Sequence, residues 1–203
     1  MKTNHTQTQS RNTWQTPLLI SFWQDTPKSV GYYQRESIRF SAECERVGQP
    51  ATIVERNYGN EYLAITRAKP AFMLEMLNLY QGQDLVFVDV DSRIIRRIDF
   101  QYNRIAWATK PDGKPYGHVH YLPNTPETIE FLEAWQSNTV GWEGGDHSAL
   151  WLTLQQTGYV WEPIKNIGTR IRFGTSQTED SKTSLAYLES IDWPNTLARR
   201  LHH

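Results

Sequence analysis

One cysteine, Cys44, is all that the 203 residues carry, and a lone thiol excludes an internal disulfide framework. It lies in a helical-looking stretch and reads as a packed thiol, because reactive cysteines need an electropositive setting. No apolar run approaches the length of a membrane span. The polar stretch Met1–Thr16 lacks the apolar centre of a signal peptide, so the chain is expected to act in the cytosol. Neither sign of charge is in excess. The formal net charge is -1, which argues against a broad electrostatic grip on nucleic acid while leaving room for a local basic patch. Aromatics, by contrast, are plentiful: eight Trp and ten Tyr supply core volume and surfaces for stacking. With 38% hydrophobic and 21% charged residues, the composition is that of a globular core in a single domain.

Residues 1–16 read as a flexible tail and 17–203 as the folded unit. Pro17–Trp23 reads as a strand closed by the turn residues Gln24-Asp25-Thr26-Pro27. A helical spacing follows from Val30 to Val47, with Tyr33, Ile38, Phe40 and Cys44 among charges, until Gly48-Gln49-Pro50 stops it. Ala51–Glu55 is a second strand. Glu61–Tyr80 is helical with a break near Lys69, because Pro70 suits the start of a helix and not its interior. Leu85–Asp89 is the third strand. Strand, helix, strand, helix, strand at this spacing predicts an α/β fold with a doubly wound, mainly parallel sheet, in which ligands bind beyond the carboxyl ends of the strands. The second half is less regular. Strands are expected at Arg104–Ala108, His118–Leu122, Tyr159–Glu162 and Arg170–Phe173, with helices from Thr125 to Trp135 and from Asp146 to Leu154, a loop at Lys110–Tyr116 and a polar loop at Gln177–Ser184. No internal repeat is present.

The D-V-D of Asp89-Val90-Asp91 closes the apolar run Leu85–Val88 and brings two carboxylates to the edge of a sheet. Such a point suits a divalent cation and, through it, a phosphate. The nucleophile strand of haloacid-dehalogenase-type phosphatases also ends in D-x-D. That family wants Thr or Val where Arg93 stands, and a second acid shortly after a Gly-Asp pair; Gly145-Asp146 is followed instead by His147, Ser148, Ala149 and Leu150.

A different resemblance runs along residues 17–165. Leu18–Tyr33 looks like a nucleotide-binding opening. Arg67-Ala68-Lys69-Pro70-Ala71-Phe72 resembles an R-x-K-P-x-F ahead of a metal strand, and Val86–Asp91 resembles a hydrophobic D-x-D. Asn124-Thr125 with Phe131-Leu132-Glu133-Ala134-Trp135 resembles an N-T…F-L-x-x-W helix. Gly145–Leu150 resembles a D-Q-x-A-L helix start, with His147 where Gln is usual. In this order the pieces resemble a GT-A-type, nucleotide-sugar-dependent glycosyltransferase. The resemblance implies a Rossmann-type sheet flanked by helices and transfer of a hexosyl or pentosyl group from a nucleoside-diphosphate sugar, UDP-linked by preference. The acceptor hydroxyl would belong to a glycan or to a hydroxymethylated DNA base. The location would be the cytoplasm, the host's if the chain is viral. A catalytically silent nucleotide- or sugar-binding module is the alternative from another functional class.

The residues divide accordingly. Asp89 and Asp91 are the expected ligands of Mn²⁺ or Mg²⁺, which would stabilise the charge on the departing diphosphate. Ser21, Trp23, Arg67, Lys69 and Asp89 are the expected donor contacts; Lys69 reads either as a cation near the phosphates or as a surface lysine. Asp146, backed by Gly144-Gly145, is a helix N-cap, a sugar ligand or a general base, with His147 beside it as a second catalytic candidate. His118 and His120 alternate along one strand and share a face, which suits acceptor contact or, with a third ligand, a metal. Arg96-Arg97 and Arg170 with Arg172 are basic spots suited to solvent or to an anionic acceptor.

Overall fold

A computed structural model describes residues 16–109 and 113–172. The expected tail (save Thr16), part of the loop expected at 110–116 and the polar loop expected at 177–184 lie outside the described residues. In chain order the elements are β1 (Leu18–Trp23), α1 (Tyr32–Val47), β2 (Ala51–Glu55), α2 (Tyr62–Arg67), α3 (Lys69–Leu79), β3 (Leu85–Val88), β4 (Arg93–Ile94), β5 (Ala106–Thr109), β6 (Pro115–Leu122), α4 (Pro126–Thr139), α5 (Asp146–Thr157), β7 (Glu162–Pro163), a 3-10 turn (Ile167–Thr169) and β8 (Ile171–Arg172).

The apolar runs are strands buried on both faces. Leu18, Ile20, Phe22, Leu85 and Phe87 enter one core cluster, while Leu19, Val86 and Val88 enter the other. This is the period-2 division of a strand with helices on each side. The first cluster is completed by Phe72, Met73, Met76 and Leu77 of α3, by Phe131, Leu132 and Trp135 of α4, and by Ala149, Leu150 and Leu154 of α5. The second takes Phe40 and Cys44 from α1 and Ile94 and Ile171 from β4 and β8. Cys44 is thus a core residue, and its burial pushes the thiol up to about 12, which leaves it inert.

The main sheet runs β2-β1-β3-β6-β5-β7. Pairings β1–β2, β1–β3 and β5–β7 are parallel, and β6 runs antiparallel to both neighbours. The expected Rossmann-type arrangement is therefore present, with one reversed strand. Several boundaries differ for tertiary reasons. β6 starts at Pro115 because that residue pairs with Thr109. The last main-sheet strand is shifted to Glu162–Pro163, where Ile105 and Trp107 offer carbonyls to Glu162 and Ile164. β4 was not expected; it exists through antiparallel pairing with β8, with Arg93 opposite Arg172 and Ile94 opposite Ile171.

Helix α1 is defined at both ends. Asp25 accepts hydrogen bonds from the backbone N–H groups of Gly31 (2.7 Å) and Tyr33 (2.8 Å), so an upstream carboxylate caps the first turn. Gly31 takes φ +69 at the entry, and Gly48 takes φ +66 at the exit, where Gln49 N–H reaches Cys44 O.

The depth of α1 against the sheet has a direct test. Phe40 is 0% exposed and Ile38 is 66% exposed. Phe40→Ala is expected to cost about 3–5 kcal/mol in urea unfolding, and Ile38→Ala to stay within about 0.5 kcal/mol.

Candidate functional site

The parallel strands β1 and β3 end on the same side, and the antiparallel β6 begins there. Helices α3 and α5 also start at this edge: Lys69 is the first residue of α3 and Asp146 the first of α5. Four separate elements therefore deliver side chains to one point, the carboxyl end of the sheet, where α/β folds hold their ligands.

The ammonium of Lys69 lies at the centre. It stands 3.0 Å from Asp89 Oδ1, 3.2 Å from Asp89 Oδ2, 2.9 Å from Asp146 Oδ2 and 3.3 Å from the carbonyl of Gly117. His118 Nδ1 donates to Asp89 Oδ2 at 2.5 Å. Burial alone would push Lys69 towards its neutral form, but Asp146 and Asp89 outweigh it and raise the pKa above the usual lysine range. Burial would likewise raise Asp89, and Lys69 with His118 more than offset it, holding the carboxyl well below the usual carboxylate range. Asp146 is buried, and its Oδ2 is the oxygen that meets the ammonium.

A bulge in β6 makes this convergence possible. Trp107 of β5 faces His120, but the next residue, Ala108, faces Tyr116, so Gly117-His118-Val119 swell away from β5. Gly117 is the tight point. A Cβ there would lie 2.1 Å from Cδ2 and 2.2 Å from Nε2 of His147, so the imidazole rests directly on the glycine backbone. His147 Nε2 is then 4.0 Å from Asp146 Oδ2. Tyr116 and His118 lie tilted against each other at 4.3 Å between ring centres, and His118 meets His147 edge-on at 5.6 Å. The imidazoles of His118 and His147 are partly exposed and form the rim.

A second glycine holds the start of α5. Arg67 Nε donates to Gly144 O at 3.1 Å, tying the end of α2 to this loop. A Cβ on Gly144 would lie 2.4 Å from Ser148 Oγ and 2.5 Å from Trp142 Nε1, a pair that is itself hydrogen-bonded. The N-cap of α5 is Gly145, and no side chain caps it. Asp146 therefore does not serve as the cap its position suggested; its carboxylate faces Lys69.

The expected site residues separate into two groups. Lys69, Asp89, His118, Asp146 and His147 come together, and Arg67 supports them from behind. Ser21 and His120 do not reach the cleft. Ser21 is fully buried between strands and donates to Val88 O at 2.7 Å. His120 is fully buried, accepts from Trp107 Nε1 at Nδ1 and donates from Nε2 to Gly117 O, which fixes its tautomer. Burial, assisted by the nearby Lys69, pushes it down to about 3, so it stays neutral and structural. The alternation that put both histidines on one face was sound, but the face runs from the cleft into the core. Trp23 is half-buried against the second cluster at the end of β1. Asp91 is half-buried just beyond β3. Among the described residues no group of three or more His, Cys, Asp or Glu side chains is placed to hold a metal. Gly144 was expected to back Asp146, whereas the role of Gly117 was not expected; a glycine next to a strand pattern was the available signal for it.

No family model matches the chain, and no curated protein matches it. Solved structures do. A glycosyltransferase involved in the glycosylation of the major capsid of PBCV-1 aligns with a TM-score of 0.59 at 8% identity, over 86% of this chain and 98% of that one. The glycosyltransferase GlyE of Streptococcus pneumoniae TIGR4 aligns with a TM-score of 0.47 at 10% identity, over 74% of this chain and 45% of that one. The first of these likenesses shows that the chain has a glycosyltransferase fold.

The buried cluster predicts a pH signature. Lys69→Met leaves the buried Asp146 and the half-buried Asp89 without a counter-charge and is expected to cost about 3–5 kcal/mol at neutral pH. The penalty should shrink in acid, where protonation relieves the stranded carboxylates. In the unaltered chain the contribution of Asp89, whose pKa is lowered on folding, is present above about pH 4 and fades as pH falls further. That of Lys69, whose pKa is raised, is present below about pH 10 and fades only above it. Urea unfolding across pH checks all three.

Proposed function

We propose that the chain is a glycosyltransferase acting on a nucleoside-diphosphate sugar, with UDP as the preferred nucleotide, and on an acceptor hydroxyl. The observation that carries this reading is the acceptor-rich cluster at the carboxyl end of the sheet. Two carboxylates, those of Asp89 and Asp146, share one ammonium there. One positive charge against two negative charges repels a bare phosphate and welcomes hydroxyl donors. Lys69 therefore acts on the carboxylates and not on the donor's phosphates. A glycosyltransferase fold supplies the setting.

On this reading Asp89, oriented by Lys69 and His118, accepts hydrogen bonds from the donor sugar. Asp146 accepts the proton of the incoming hydroxyl as that oxygen bonds to the anomeric carbon and the bond to the β-phosphate oxygen breaks. His147, seated on Gly117, walls the sugar side, and His118 with Tyr116 walls the acceptor side. A glycan or a hydroxymethylated base presents a suitable hydroxyl. Asp91, on the loop that follows β3 at the carboxyl end of the sheet, is the carboxylate assigned to Mn²⁺ or Mg²⁺, which it would hold together with the donor's phosphates. When bound, the ion supplies neutralising charge to the departing nucleoside diphosphate.

A thermal-shift screen of nucleoside diphosphates with and without Mn²⁺ tests this. UDP with Mn²⁺ is expected to stabilise the protein by about 2.7 kcal/mol at a hundredfold excess over Kd. Asp91→Ala should abolish that gain with the fold intact. Asp146→Asn should lower turnover of the matched UDP-sugar by about 10²–10⁴-fold. Saturable nucleotide binding with no turnover of any donor would favour a silent binding module. Phosphate release from simple esters, lost on Asp89→Asn, would favour a phosphatase.

A further inference from the structure

Helix α1 places Glu36, Arg39, Glu43 and Arg46 at positions i, i+3, i+7 and i+10, one stripe along its side. Such a run reads as a solvated face. The structure buries it: the side chains of Glu36, Arg39 and Glu43 are 4%, 13% and 12% exposed. Their partners lie in the loop from Asp89 to Ile94. Arg39 Nη2 donates to Val90 O at 3.0 Å, in the peptide that enters Asp91, and to Ser92 O at 2.8 Å, one peptide beyond it. Glu36 Oε2 holds the same guanidinium at 2.7 Å, and Glu43 Oε2 holds its other terminal nitrogen at 2.8 Å. Glu43 also accepts from Ile94 N–H at 2.6 Å, and Arg46 donates to Ile94 O at 2.8 Å. Arg93, paired to Glu36, reaches Asp91 O at 3.4 Å, and Ser92 N–H closes a turn onto Asp89 O at 2.9 Å.

We infer that Arg39 is a positioning residue for Asp91, acting through the main chain of that loop; this rests on the role proposed for Asp91 above. Core packing of Val90 and Ile94 fixes where the loop sits. It does not fix how the Val90–Asp91 peptide plane is rotated. A guanidinium that grips the Val90 carbonyl of that plane and the Ser92 carbonyl one peptide beyond Asp91, itself paired with Glu36 and Glu43, sets the plane and so the direction of the Asp91 carboxylate. A lysine ammonium cannot serve the acceptors at Nη2 and pair with Glu43 beside Nη1 at once.

The test is a double-variant cycle read by calorimetry of UDP binding with and without Mn²⁺. Arg39→Lys and Arg39→Met are expected to weaken the Mn²⁺-dependent part of UDP binding at least about tenfold, as when an outer partner of a metal ligand is removed. Metal-free UDP binding should be unchanged. In an Asp91→Ala background the Arg39 variants should have no further effect on binding, because Arg39 acts through Asp91. Amide exchange should speed up at residues 90–94 in Arg39→Lys while the core strands stay protected. If the wild type binds UDP with Mn²⁺ and the Arg39 variants keep the whole gain, the inference falls alone. It also falls alone if their losses add to that of Asp91→Ala, or if exchange rises across the whole chain. A wild type that binds no UDP with either ion removes the reading of Asp91 first, and this inference with it.

Discussion

The ammonium of Lys69, 2.9 Å from Asp146 and 3.0 Å from Asp89, joins the first residue of one helix to the end of a strand and the first residue of another helix. Burying one cation and two carboxylates costs desolvation that the contacts do not necessarily return, and apolar side chains would hold the same elements together as well. The cluster gives the chain something an apolar cluster cannot. It keeps two ionised acceptors dry, oriented and one charge short of neutrality at the mouth of the sheet. Remove the ammonium and the same pocket becomes two mutually repelling acids.

Fixing side chains this tightly needs rigid supports, and two of them are points where a side chain has been omitted. Gly117 lets the ring of His147 lie on bare backbone, and Gly144 does the same for Trp142 and Ser148. The carbonyls of these two glycines are used as well, by Lys69 and Arg67. Helix α1 supplies a third support. Its first turn is tied to Asp25 after β1, and its flank is tied to the loop after β3. One helix thus sets the spacing between the two strand ends that face the proposed donor.

Much of this was legible in the sequence, where local pattern and tertiary outcome agree. The apolar runs of β1 and β3, the stop at Gly48 and the helix break before Pro70 are enforced by backbone and burial terms that act within a few residues. Asp89, Lys69, Asp146 and His147 were also recognisable as candidates. Their partnerships were not, because Lys69 and Asp146 are 77 positions apart by number and meet only after three elements pack. Ser21 and His120 show the reverse failure. Residue type and alternation pointed to a ligand, but depth along the strand decided: Ser21 lies within β1 against Val88, and His120 lies on the core side of the bulge at Gly117. The stripe of charges on α1 carried no signal in the sequence, because four charged residues at helical spacing look alike whether they face water or a loop with carbonyls to satisfy.

The D-V-D itself is therefore better understood as a divider than as a single acidic tip. Asp89 is still part of the sheet, its N–H bonded to His118 O, and its carboxylate belongs to Lys69 and His118. The turn closed by Ser92 N–H intervenes, and Asp91 emerges on the loop that α1 holds. Two acids two residues apart thus sit in different environments. On the proposed reading they sort the two halves of the donor. The sugar's hydroxyls meet the dry, ammonium-bound pair of Asp89 and Asp146, which would reject a phosphate. The diphosphate lies towards Asp91, where a cation must accompany it. The scissile bond falls between these two environments, and the placement follows from charge and hydrogen-bonding capacity alone.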